Sequence, residues 1–305
     1  MDLNRFADII AGKVQEKAGS GYRVERMPVR RNNQVVETGI GISSGADPFL
    51  TVAGIEPYYI QYMCGNMDME AAVEDILRVL GPGDGGRESG AAGLYDYGKV
   101  KDRIIFRLVS RDIPHIPFLD MAVEFRILVE ENEWGQKTVP VDSGLCRMWQ
   151  KEPQDLMDQA ARNMPLLCPP VMVPVQERMM EILETYPVGE DLKKELYRQL
   201  GAAGGKIPLY ILSNRREIQG ASAILYPGVL GKYADILESD LVILPSSVHE
   251  VLLVPYGEKT SFSFLRGMVQ QVNASDVPPE ERLSDQVYLY RRASGRITVA
   301  GESAD

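Results

Sequence analysis

Leu3, Phe6, Ile9, Ile10 and Val14 recur at the spacing of one helix face, and Gly19-Ser20-Gly21 breaks the pattern, so the chain is expected to open with an amphipathic helix. Residues 22–29 and 35–42 are rich in β-branched side chains and flank Arg31-Asn32-Asn33-Gln34, which reads as a hairpin. Asn66 is placed to cap a helix carrying Val73, Ile76, Leu77 and Leu80, stopped by Gly81-Pro82. Residues 104–109, 121–129 and 137–141 read as strands, the last two joined around Asn132-Glu133-Trp134-Gly135. Helical spacing returns behind Pro153 with Leu156 and Ala160, then at Val175, Met179, Ile182 and Leu183, and again at Leu192, Leu196 and Leu200.

The C-terminal third is the most regular part. Strands are expected over residues 209–212 and 221–226, a helix after Pro227 with Val229, Leu230, Tyr233, Ile236 and Leu237 on one side, and strands over 241–244 and 251–254. A helix through Phe264, Leu265, Met268 and Val272 precedes a last hairpin, residues 287–290 and 296–299. The order is ββαββαββ, and short loops between paired strands favour antiparallel sheet, so the fold class is α+β with helices packed on mostly antiparallel sheets. Two lobes follow: residues 1–150 with a flexible glycine-rich loop at 81–93, a helical connector at 151–206, and a C-terminal α+β lobe at 207–305.

Two glycine-rich stretches invite a phosphate-binding reading. Residues 81–90 lack the Lys-Ser or Lys-Thr pair, and Gly201-Ala202-Ala203-Gly204-Gly205-Lys206 runs from a helix into a strand, the reverse of the order such a loop needs. The first is expected to be a surface loop and the second a helix stop. With 45% hydrophobic and 25% charged residues the chain is of ordinary globular composition. Its net charge of −10 disfavours nucleic acid and anionic membrane surfaces. Cys64, Cys146 and Cys168 are odd in number and far apart, without zinc or redox spacing. They point to a reducing, cytoplasmic setting, consistent with an N-terminus that does not read as a signal peptide and with no apolar run of bilayer length.

Several stretches carry a family resemblance. They are Ile113-Pro114-His115-Ile116-Pro117-Phe118-Leu119-Asp120, Ala160-Ala161-Arg162-Asn163, Leu209-Tyr210-Ile211-Leu212-Ser213-Asn214 with Gly220-Ala221-Ser222, Ile243-Leu244-Pro245-Ser246-Ser247-Val248-His249-Glu250-Val251, and Leu283-Ser284-Asp285-Gln286-Val287-Tyr288. Together they resemble a bacterial family catalogued as a domain of unknown function, number 5688, common in anaerobic gut bacteria. The resemblance spans about residues 2–299 and implies no activity, cofactor or catalytic residue.

Both histidines lie in these stretches. Ser246 or Ser247, His249 and Glu250 share one connection between apolar strands, and a nucleophile needs a base in reach and an acid to orient it. Neighbouring residues in a tight connection point to opposite faces, and no Gly-x-Ser-x-Gly elbow is present. The plainer reading is a turn whose hydroxyls satisfy backbone amides. His115, held between Pro114 and Pro117, and Asp120 would complete a metal site only by meeting His249 or Glu250 in space. No local His-Glu-x-x-His pair exists, so neither a metal nor another cofactor is expected. Tyr58 and Tyr62 have the spacing of a core-facing pair, and the dibasic pairs Arg30-Arg31 and Arg215-Arg216 fall at turns, where solvated side chains are the default.

The leading expectation is a non-enzymatic interaction or regulatory protein of the cytoplasm whose partner is another protein. The alternatives are a hydrolase-like enzyme using His249 as base with Ser246 or Ser247 as nucleophile, oriented by Asp120 or Glu250, and an acidic mimic of nucleic acid.

Overall fold

The computed structural model describes residues 1–44, 51–80, 91–110, 116–132, 135–185, 208–258 and 260–301. The chain divides into two compact units, Met1–Lys101 with Asn132–Trp134, and Asp102–Glu131 with Gly135–Asp305. Helices stand beside sheets whose strands pair antiparallel, so the class is α+β, as the pattern of short connections requires.

In the first unit, helix α1 (Leu3–Ala18) starts where the Asp2 carboxylate accepts the Arg5 N–H at 2.8 Å and stops at Gly19, whose φ of 83° suits glycine. It buries Phe6, Ile10 and Val14 in a core shared with Ile40 and Ile42 of a three-stranded sheet, β1 (Tyr22–Arg30), β2 (Val36–Ser44) and β3 (Thr51–Gly54). The expected hairpin pairs Tyr22 with Ser44 and Arg30 with Val36. Helix α2 (Glu56–Met63) brings the Tyr59 and Tyr62 rings to 5.4 and 5.3 Å from Phe6, and Tyr58 packs on the same core. Helix α3 (Met69–Leu80) adds Val73, Ile76 and Leu80. Its cap is Asp68, whose carboxylate accepts the Ala71 N–H at 2.8 Å, whereas Asn66 bonds Gln61 instead. Two short helices follow, α4 (Ala91–Leu94) and α5 (Tyr97–Val100). The glycine-rich stretch 81–90 lies outside the described residues.

The second unit holds two sheets. One comprises β4 (Ile104–Ser110), β5 (Ile116–Phe118), β6 (Met121–Asn132) and β7 (Gly135–Pro140), with β6 pairing the other three. Helix α6 (Ser143–Trp149) follows, and α7 (Pro153–Leu167) then packs on β4. There the buried Asn163 side chain donates to the Ile104 carbonyl at 2.8 Å, which gives the Ala160–Asn163 motif a structural purpose: small residue against the strand, amide closing its first carbonyl.

The other sheet has six strands in the order β13-β12-β10-β11-β9-β8. These are β8 (Pro170–Pro174), β9 (Tyr210–Asn214), β10 (Leu241–Pro245), β11 (Val251–Pro255), β12 (Tyr288–Arg291) and β13 (Arg296–Val299), with α8 (Val175–Thr185), α9 (Val229–Ile236) and α10 (Phe262–Ser275) between them. Strand β8 lies in a stretch that reads as helical connector. Prolines at both its ends disguise it, and they are tolerated because β8 is an edge strand bonded only to β9. The second of the eight expected C-terminal elements is also corrected: residues Gly220–Leu225 form a 3-10 turn, not a strand. Gly220, Ala221, Ser222, Ala223 and Ile224 are all buried, so apolar content there reflects burial on every side and not a two-residue alternation. The expected helix at residues 192–200 and the stop at 201–206 lie outside the described residues.

Candidate functional site

Two of the family-like motifs, Leu209–Asn214 with Gly220–Ser222 and Ile243–Val251, meet where two loops clasp. One joins β9 to the 3-10 turn (residues 214–220), and the other joins β10 to β11 (residues 246–250). Strand β11 pairs with β9 so that Val251 faces Leu212, which sets Ser213 and Asn214 beside His249. The first loop is closed by Asn214, whose amide donates to the Ile218 carbonyl at 2.7 Å and accepts the Arg216 N–H at 2.9 Å. Ser222 Oγ donates to the Gln219 carbonyl at 2.8 Å. The clasp itself is Ser213 Oγ donating to the His249 carbonyl at 2.7 Å and the Ala221 N–H donating to the Val248 carbonyl at 3.2 Å. Gly220 makes this approach possible: a Cβ there would lie 2.1 Å from Ser213 Oγ, 2.6 Å from the His249 carbonyl oxygen and 2.7 Å from the Asn214 nitrogen.

Within the second loop, Ser247 Oγ accepts the His249 N–H at 3.0 Å, and the Ser247 N–H donates to the Glu250 carbonyl at 3.2 Å. Ser246 Oγ stands 3.4 Å from Glu250 Oε1. The Val248 N–H donates to the Glu281 carbonyl at 2.8 Å, which ties the loop to the turn at Pro279–Glu281. The half-exposed His249 ring accepts the Gln219 N–H on Nδ1 at 3.3 Å, so the neutral ring carries its proton on Nε2, which faces Glu281 Oε1 at 3.6 Å. Glu250 has its carboxyl pushed above the usual carboxylate range, chiefly by burial and next by the charge of Glu217.

Each sequence candidate among the described residues can therefore be placed. Among the described residues no serine hydroxyl bonds the His249 ring; Ser247 serves the backbone and Ser246 the Glu250 carboxylate. The carboxylate beside His249 is Glu281, which sequence reasoning did not single out because it lies in a later loop with no local signal. Gln219 also carries no local signal, and the pairing of β9 with β11 brings its loop to His249. His115 lies outside the described residues. Asp120 sits in the two-residue loop between β5 and β6 and is taken up elsewhere. Ser284 Oγ donates to its Oδ2 at 2.6 Å, and the Tyr288 hydroxyl donates to its Oδ1 at 2.5 Å while standing 2.6 Å from Ser284 Oγ. Asn273 Nδ2 reaches the Ser284 carbonyl at 3.0 Å, so the Leu283–Tyr288 motif is the frame of a buried polar knot. Among the described residues no group of His, Cys, Asp and Glu is arranged to hold a metal. Of the dibasic turns, Arg31 pairs with Glu37 at 2.8 Å and Arg216 with Glu131 at 2.7 Å. Among the described residues no helix is long and apolar enough to cross a membrane.

Antiparallel sheets with helices packed on them, and a candidate site held in clasped loops, define an α+β protein whose polar motifs fix loops against one another. Within that class the chain belongs to the family of unknown function DUF5688, whose profile matches residues 3–292. No curated protein and no solved structure matches the chain.

Proposed function

We propose that the protein acts by binding another protein in the cytoplasm, through the outward face of α10, and not by turning over a substrate. The observation that carries this reading is an apolar stripe. Phe264, Met268 and Val272, four residues apart, are 66%, 45% and 42% exposed, while Val269 and Asn273 on the other side of the helix are buried. A surface helix ordinarily turns charged side chains outward. Here the only charged residue among the 14 is Arg266, and its guanidinium donates to the Ala300 carbonyl at 2.9 Å. The outward face is left apolar or neutral, with the i, i+4, i+8 anchors of a helix that lies in an apolar groove. That makes a protein with such a groove the partner. Three free cysteines suit a reducing compartment. The engagement of His249 Nδ1 by a backbone amide, with both serine hydroxyls occupied elsewhere, supports binding over hydrolysis.

The test is photo-crosslinking in cells from a reactive side chain at position 271, beside the stripe. One adduct of defined mass is expected, lost when Phe264→Glu and Met268→Glu are combined. An adduct the size of two copies of this chain would make the partner a second copy. No adduct, or one that survives the double substitution, rejects the reading. Esterase or phosphatase turnover that disappears in His249→Ala would favour the hydrolase instead.

A further inference from the structure

The apolar stripe on α10 does not end in hydrocarbon. The row Phe264, Met268, Val272 continues at the same spacing to Asp276, which is exposed and closes the helix, its N–H donating to the Val272 carbonyl at 2.8 Å. A second carboxylate is held at the same end: the exposed Asp285 accepts the Asn273 side-chain amide, from the last turn of α10, on Oδ1 at 2.7 Å. Among the described residues neither carboxylate pairs with a lysine or arginine. Arg282, the cationic residue nearest to both in the chain, bonds through Nε to the Val277 carbonyl at 2.9 Å.

These charges stand where the helix itself disfavours them. The C-terminus is the negative end of the helix dipole, and a cation in the last turn is the favoured arrangement, yet α10 has no basic residue there. Asp276 accepts only the Ser275 hydroxyl, at 2.5 Å, which supplies a dipole and no charge. The opposite end of the stripe is aromatic: Phe262 stacks on Tyr256 with ring centroids 5.7 Å apart and planes 9° apart. Arg291, whose guanidinium lies 5.7 Å from the centre of the Tyr256 ring, is paired with Asp240 at 2.9 Å. The face therefore runs from aromatic through apolar to uncompensated negative, and a docking face of that kind is matched by opposite charge on its partner. An anionic lipid surface or a phosphate backbone would repel the carboxylates. A second copy docked antiparallel by the same face would offer them only Arg291, which is already paired.

We propose that the partner of α10 is a different protein whose apolar groove is closed at one end by lysine or arginine, and that this basic end receives Asp276 and Asp285 at the C-terminus of the helix. The proposal rests on α10 being a docking surface and adds the chemistry of what docks and the direction in which the helix lies.

The experiment uses the full chain with the photoreactive side chain at position 271 and measures adduct yield in cell extract from about 0.05 to about 0.5 M salt. Yield should fall about tenfold over that range, and an oligolysine peptide should compete where an oligoglutamate peptide does not. Asp276→Lys should lower the low-salt yield about tenfold and flatten the salt dependence, and Asp276→Asn should lower it about threefold. Asp276→Lys should melt no lower than the parent, since it sets a cation at the negative end of the dipole, so the loss is one of binding. Should it melt lower, Asp276→Asn decides, and a yield equal to the parent's rejects the proposal. Asp158→Lys, an equal change of charge on the exposed side of α7, should leave the yield as it was. An adduct that needs Phe264 and Met268 but ignores salt and both Asp276 substitutions overturns the basic groove and leaves the α10 surface standing. An adduct of two copies of this chain overturns the basic groove as well, and no adduct at all overturns both.

Discussion

Asp120 and Tyr288, 168 positions apart in the chain, are joined by a 2.5 Å hydrogen bond from the phenol to the carboxylate, with Ser284 Oγ within 2.6 Å of both. A turn of one sheet is thereby fastened to a strand of the other inside the second unit. Asp120→Ala removes the carboxylate that two hydroxyls share at a site where Tyr288 is fully buried, and a hydrogen bond to a charged group is worth about 1.5–3 kcal/mol. Urea unfolding should show a loss of roughly 2–4 kcal/mol on that basis. Combined with Tyr288→Phe, the loss should fall short of the sum of the singles by at least about 0.5 kcal/mol, because the two substitutions remove one bond. Additive losses would mean the pair is not coupled.

Gly220 and Gly12 offer a matched contrast. A methyl at Gly220 would meet the Asn214 nitrogen at 2.7 Å and the His249 carbonyl oxygen at 2.6 Å, and backbone atoms cannot swing aside. Gly220→Ala is expected to cost about 3 kcal/mol or more, the upper end of overpacking, by forcing the two loops apart. Gly12 lies inside α1 with nothing within 4 Å of its would-be Cβ, so Gly12→Ala should raise stability by roughly 0.5–1 kcal/mol. Chemical denaturation of both variants decides the point, and a harmless Gly220→Ala would show that the loops are not clasped.

The contrast also bears on what could be read from the chain. Periodicity alone gives α1, the β1–β2 hairpin and the β10–β11 and β12–β13 pairs, because each is local and each has one clear face. It loses β8, whose prolines mark an edge that only the finished sheet defines, and it misreads Gly220–Leu225, whose burial on all sides erases any period. The motif around His249 is legible as a turn with hydroxyls on the backbone, and Ser247 does accept the His249 N–H. Its true neighbours Gln219 and Glu281 are not legible, since they arrive through sheet pairing and a later loop. Asp120 shows the same limit in reverse: its chemistry suggests a catalytic carboxylate, and its place in the fold gives it to Ser284 and Tyr288.

Glu250 gives a pH dependence with a definite sign. Burial, and then the charge of Glu217, raise its carboxyl in the folded protein above the ordinary value of 4.5. Between that value and the raised one the folded state binds more protons than the unfolded chain, so this group adds stability as pH falls through the folded value. At neutral pH its charge is a liability. Glu250→Gln should raise the melting temperature at pH 7, with the advantage shrinking toward pH 4.5 and gone below it. Melting curves from pH 4 to 8 make the comparison; a gain that does not change with pH would assign the effect to packing.

The buried phenols act at the other end of the scale. Burial raises both Tyr226 and Tyr288 above the ordinary tyrosine value of 10.0, helped at Tyr288 by its bond to Asp120 and at Tyr226 by the Cys168 thiol nearby. Above pH 10 the unfolded chain therefore releases protons that the folded chain keeps, and stability falls as pH rises. Ultraviolet titration should show these two phenols ionising only as the protein unfolds. Tyr226→Phe and Tyr288→Phe should each reduce the slope of stability against pH above pH 10, by up to about 1.4 kcal/mol per pH unit for one proton. Tyr226 is the cleaner of the two, since its ring packs edge-on against Phe106 at 5.9 Å and its hydroxyl supports no polar knot. If the slope is unchanged in Tyr226→Phe, the phenol is reached by solvent and the seal between β4 and the 3-10 turn at Gly220–Leu225 is looser than the packing of Phe106 on Tyr226 requires.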